Sequence, residues 1–179
     1  MPPNPGCVNL AAMSTPAFIE PNPEVIDRIF DFARRGHVEA ITMYLEDGFD
    51  PNAVNPRGDS LLIIAAYHQF PEVSALLLRT PGIAVDYQNS MGFTALTAAA
   101  FKGDAVILRQ LFAAGANVNH RNLSGQTALM FAALTGRLEA VKLLLEHGAD
   151  ASFADASGKT AAILAAEQGA EEVEALLRT

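Results

Sequence analysis

Residues 125–136 read GQTALMFAALTG, and nearly the same run stands 33 residues earlier and 33 residues later. Residues 92–103 are GFTALTAAAFKG and residues 158–169 are GKTAAILAAEQG. Several columns keep the interval independently. Gly92, Gly125 and Gly158 share it, as do Gly103, Gly136 and Gly169, and as do Thr94, Thr127 and Thr160. Gly115 and Gly148 follow the same spacing. A fixed period of this length marks one supersecondary unit used repeatedly.

Two looser copies precede these. Gly36 and Gly48 are 12 residues apart, like Gly103 and Gly115, and like Gly136 and Gly148. Between them, Gly58 and Ser60 open a copy with Gln69 at the glycine position and one extra residue near RTPG. Five units are therefore expected, at about 22–54, 55–88, 89–121, 122–154 and 155–179. Together they form a repeat domain over 22–179. Residues 1–21 hold four prolines before Pro21 and little periodicity, and are expected to be a flexible tail, with Met13 an alternative start.

The residues of one unit dictate its shape. From Thr127 the run TALMFAALTG is built of helix formers and stops at Gly136, with the Thr127 hydroxyl placed to cap the first amides. RLEAVKLLLEHG then sets Leu138, Val141, Leu144 and Leu145 at helical spacing before Gly148, a left-handed stop. ADASFADASG follows as an extended turn. Each unit thus predicts helix, tight turn, helix and projecting loop. Paired alanines (Ala99–Ala100, Ala132–Ala133, Ala165–Ala166) let neighbouring helices approach closely. Such short helices are not stable alone in water, so the units must stack and bury a continuous apolar seam.

Bulk properties exclude several classes. Half of the 179 residues are hydrophobic and 18% are charged, which is a globular composition. The net charge of −8 argues against nucleic acid or anionic membranes as partners. No apolar run approaches the roughly 20 residues of a membrane span, and the first residues lack the basic and apolar regions of an export signal. Cys7 is the one cysteine, which excludes an intramolecular disulfide and a cysteine-cluster metal site. The compartment expected is the cytoplasm.

No motif for catalysis emerges. His37, His68, His120 and His147 are scattered, and His147 with Asp150, the nearest approach to ligand spacing, reads as a helix end and turn. No G-x-S-x-G elbow occurs. GKT at Gly158–Thr160 mimics the end of a phosphate loop, but Phe153 stands where that loop needs its first glycine. No catalytic residue, metal or cofactor is expected.

The period of 33, the Thr-x-Leu start, the Ala-Ala pair, the mid-unit glycine, the Leu-Leu run and the GADAS or GANVN exit resemble the ankyrin repeat. The resemblance covers roughly Pro23 to Thr179. It implies an all-α ankyrin-repeat solenoid of helix–turn–helix units with projecting β-hairpin-like loops. The usual Thr-Pro-Leu-His is altered: Ala95, Ala128 and Ala161 replace proline, and Thr97, Met130 and Ile163 replace histidine. Losing the histidine removes bonds that tie loop to helix, so looser loops are expected. The alanine-rich array resembles small stand-alone ankyrin proteins of bacteria, among them immunity or inhibitor partners of toxins and proteins of oxidative-stress defence.

The resemblance also implies where a partner would sit, on the inner-helix edges and loop tips of a concave face. On the helix edges these are Arg34 and Arg35, Tyr67 and His68, Phe101 and Lys102, and Leu134 and Thr135, ending at Glu167 and Gln168. On the loop tips they are Arg57 and Asp59, Met91 and Phe93, then Arg121, Leu123 and Gln126, then Phe153 and Lys159. Six of the twelve Lys and Arg residues fall here, against two of the twenty acids. Aromatic and basic anchors on an acidic molecule predict a monomeric, non-enzymatic protein binder, an adaptor or inhibitor, for a partner segment with acidic groups flanking apolar ones. The alternatives are a stress-defence protein acting with a small molecule or metal, and a structural homo-oligomer.

Overall fold

The computed structural model describes residues 22–178; the expected tail, with Cys7 and Met13, lies outside them, as does Thr179. Ten helices among the described residues form five successive pairs: α1 Pro23–Arg35 with α2 Val38–Glu46, α3 Leu61–Tyr67 with α4 Pro71–Arg79, and α5 Ala95–Lys102 with α6 Ala105–Ala113. They continue with α7 Ala128–Leu134 and α8 Leu138–Glu146, then α9 Ala161–Glu167 and α10 Glu171–Leu177. Odd-numbered helices pack on one another in one row and even-numbered helices in a second. The chain is an all-α solenoid.

Hydroxyl caps start the odd helices where the sequence puts them. Ser60, Thr94, Thr127 and Thr160 each accept a hydrogen bond from the backbone N–H three residues on. Asn22 caps α1 through Glu24 N–H at 3.1 Å, with Pro23 in the first turn. Each pair then turns through one left-handed residue: Gly36, Gly103, Gly136 and Gly169, with Gln69 at φ +60° in the second pair.

The two rows close over one core. Leu96, Ala99 and Ala100 are buried on α5, and Leu129, Ala132 and Ala133 on α7. On the even row Val73, Leu77, Ile107, Leu111, Val141 and Leu144 are buried. Leu143 is buried as well, while Leu138 and Leu145 are half-buried against the core. Ala165 is buried while Ala166, in the last described pair, is exposed.

The loops are tied by a device the Thr-Pro-Leu-His comparison does not reveal. Asn55, Asn89, Asn122 and Asp155 recur at one position, and each side-chain Oδ1 accepts from the backbone N–H groups two and four residues on, at 2.8–3.0 Å. Their own backbone N–H groups bond to the carbonyl four residues on, closing a hairpin-like tip. Val54 with Ser60, and Ala154 with Thr160, form antiparallel bridges at two of these tips. The missing histidine is thus offset: an amide or carboxylate oxygen inside each loop satisfies the donors that would otherwise be free.

Candidate binding groove

The ends of the odd helices and the loop tips enclose a groove of about 370 Å³ across the second and third units. Its floor is Ile63 and Ile64 of α3 with Thr97 and Ala98 of α5, all four largely buried and meeting the groove with a small exposed remainder. Four aromatic rings run along it in contact. Tyr67 stacks on Phe101 at 6.3 Å and 8°, Phe101 meets Phe131 edge-on at 6.5 Å, and Phe131 meets Phe93 at 5.3 Å and 89°. Such offset and edge-to-face contacts preorganise apolar surface before any partner arrives. Met91 completes the loop side and is 57% exposed.

Charge is distributed unevenly along the groove. Arg34, from the last turn of α1, and Arg57, from the second loop, line it. Lys102 reaches over Tyr67, with Nζ 4.1 Å from the ring centroid. None of these three cations has an ion-pair partner among the described residues. Burial, and then the positive charges of Arg34 and Lys102, hold His68 below its usual value of 6.5. At the loop end Asp59 is already engaged, accepting from Asn89 Nδ2 at 2.7 Å and Asn55 Nδ2 at 3.4 Å. The helix-end half of the groove is therefore cationic, and the loop end holds one satisfied carboxylate.

Of the residues the sequence nominates, Arg34, Arg57, Tyr67, His68, Met91, Phe93 and Phe101 line this groove, with Lys102 above Tyr67. Asp59 lines it too, and the other ten nominated residues stand outside it, Lys159 and Glu167 among them as an ion pair at 2.7 Å. Arg35 pairs with Asp31 at 3.2 Å along α1. Arg121 straps two loops together, donating to Gly125 O at 3.1 Å and Ala154 O at 2.8 Å while its guanidinium lies 5.3 Å from the Phe153 ring centroid. Gln126 accepts from Asn122 Nδ2 at 3.2 Å. Leu134 is half-buried against the core, and the Thr135 hydroxyl bonds back to Phe131 O at 2.8 Å, as threonines at helix ends do. Leu123 is 80% exposed at its tip, beside the groove rather than in it.

Phe131 is the ring of the groove that the family positions pass over, along with the floor residues Ile63, Ile64, Thr97 and Ala98 and the loop residues Asn55 and Asn89. Its signal lies in its column: Ala98 stands one unit earlier, so a large ring replaces a small side chain where the repeat turns inward. His147 and Asp150 each have partners of their own. The His147 ring stacks on Phe112 at 3.9 Å with Nδ1 2.8 Å from Leu143 O, and Asp150 accepts from Ser152.

A family model of three ankyrin repeats matches residues 29–122 and again 98–179. The chain belongs to the ankyrin-repeat family. Ankyrin repeats are in general protein-interaction modules rather than enzymes. An ankyrin repeat protein of Pseudomonas aeruginosa is 42% identical over 45 residues, which is 25% of this chain and 26% of that protein. The chain thus spans about a quarter of that relative's length, and the kinship points to bacteria. No helix among the described residues is long and apolar enough to cross a membrane.

Proposed function

We propose that this ankyrin-repeat protein is a non-enzymatic binding module, an adaptor or inhibitor, whose groove receives an apolar segment of another protein flanked by acidic side chains. One observation carries the reading: the continuous run of rings Tyr67, Phe101, Phe131 and Phe93 is bordered by Arg34, Arg57 and Lys102, cations without ion-pair partners among the described residues, on a chain of net charge −8. Aromatic and arginine side chains concentrate binding energy when a partner excludes water from them. A cationic rim adds steering, which raises association rates at low salt.

The test is capture from native lysate with three proteins in parallel. One is the wild type; the second carries Tyr67→Ala, Phe101→Ala and Arg57→Glu. The third carries Met43→Asp and Val106→Asp, exposed positions on the even-numbered helices. The groove variant is expected to lose the partner, since a truncated anchor costs about 2 kcal/mol or more, and the even-row variant to retain it. A partner held equally by the groove variant contradicts the reading.

A further inference from the structure

The helix-end half of the groove differs from the rest. Three consecutive inner helices converge there, contributing Arg34 from α1, Tyr67 and His68 from the end of α3, and Lys102 from the end of α5. Arg34 and His68 line the same groove, and the ammonium of Lys102 stands over Tyr67, the residue next to His68. The His68 ring is itself edge-on to Tyr67 at 5.4 Å, so it is oriented by the same aromatic wall. We propose that Arg34, His68 and Lys102 form a subsite for a single carboxylate of the partner segment, and that a carboxylate docking there draws a proton onto His68. The inference rests on the groove being the binding surface, and it assigns the polarity of the bound segment: acid at the helix ends, apolar side chains over the rings.

The surroundings of His68 support this assignment. From α1 it faces Arg34, while Asp31 on the same helix is engaged by Arg35. From α5 it faces Lys102. On α4, Glu72 in the first turn and Arg79 in the last are the charged groups, and Glu72 is exposed. Across the groove the Asp59 carboxylate accepts from Asn55 and Asn89, and Arg57 adds a positive charge on that side. Without a ligand partial burial, and then the charges of Arg34 and Lys102, favour the neutral imidazole. An incoming carboxylate reverses the sign of the local field and favours imidazolium. By linkage, affinity then rises as pH falls from the raised pKa of the complex towards the lowered value of the free protein, by about tenfold per unit of difference.

The probe is an acetylated, amidated peptide of sequence aspartate–leucine–phenylalanine–aspartate, with its asparagine twin. Titrations followed by NMR between about pH 8 and pH 6 read both peptide affinity and the His68 ring resonance. The acidic peptide is expected to shift groove resonances, to bind several-fold more tightly at the lower pH, and to raise the His68 titration midpoint. The twin should bind more weakly and without pH dependence. In His68→Gln the pH gain should vanish, whatever the affinity at the higher pH. Binding of the acidic peptide that is flat with pH, or a gain that persists in His68→Gln, overturns the carboxylate subsite but leaves the groove reading standing. Failure of both peptides to perturb the groove, or equal binding of the two, overturns the acidic–apolar reading itself.

Discussion

Gln69 occupies a left-handed backbone position, φ +60°, between α3 and α4, where the other four turns have glycine. A side chain there costs roughly 1–2 kcal/mol, part of which glycine gives back through its larger unfolded-state entropy. Gln69→Gly should therefore stabilise the protein by about 1 kcal/mol in urea unfolding. No change, or a loss, would mean that Gln69 makes a compensating contact. Gly92 and Gly115 stand in different columns of the repeat and share φ near +80°. A Cβ on Gly92 would come 2.9 Å from Leu123 N and 3.0 Å from Asn122 Cα, the backbone of the neighbouring loop, while a Cβ on Gly115 meets nothing within 4 Å. Both alanine variants carry the left-handed strain, so Gly92→Ala should be worse than Gly115→Ala by about 1 kcal/mol or more. Equal midpoints for the two would show that the loops yield freely. The glycine column was legible in the sequence; which glycine is hemmed in depends on the next unit and was not.

At the scale of elements, the helices were the readable part. Thr94, Thr127 and Thr160 keep their phase with the apolar run behind them, and cap and stripe together state where each odd helix begins. The loops were less readable, although Asn55, Asn89, Asn122 and Asp155 keep the same period. Their spacing is visible, but what they bind is set by a loop shape that periodicity does not describe. Asn122 Oδ1 satisfies both Ser124 N–H and Gln126 N–H at 2.9 Å. Asn122→Ala should cost about 1–3 kcal/mol by stranding these donors. Asn122→Asp should cost far less, because Asp155 does the same work in the next loop. Thermal melts of the two variants test this, and similar losses would refute it. Arg121 shows what a family position leaves out: the loop-tip cation nominated as a partner contact also donates to Gly125 and Ala154, tying two loops of its own fold.

Across the whole molecule, the shared residues build the stack and the unshared ones distinguish its groove face. Leu129 is buried in its repeat column, whereas Tyr67, Phe101 and Phe131 interrupt theirs and meet in the groove. The bias of positive charge towards one face was evident from unit positions alone. Its concentration around His68 was not, because Arg34, His68 and Lys102 lie far apart in the chain and meet only when successive helices stack. The central claim is that this face, and not the even-helix face, holds the partner. Side-chain oxidation footprinting of the captured complex tests it most directly, since reactive residues stand on both faces: Met91 and Tyr67 at the groove, 57% and 45% exposed, and Met43 on α2, 64% exposed. Shielding of Met91 and Tyr67 with Met43 oxidised as in the free protein is the predicted result; shielding of Met43 with Met91 and Tyr67 unchanged would contradict it.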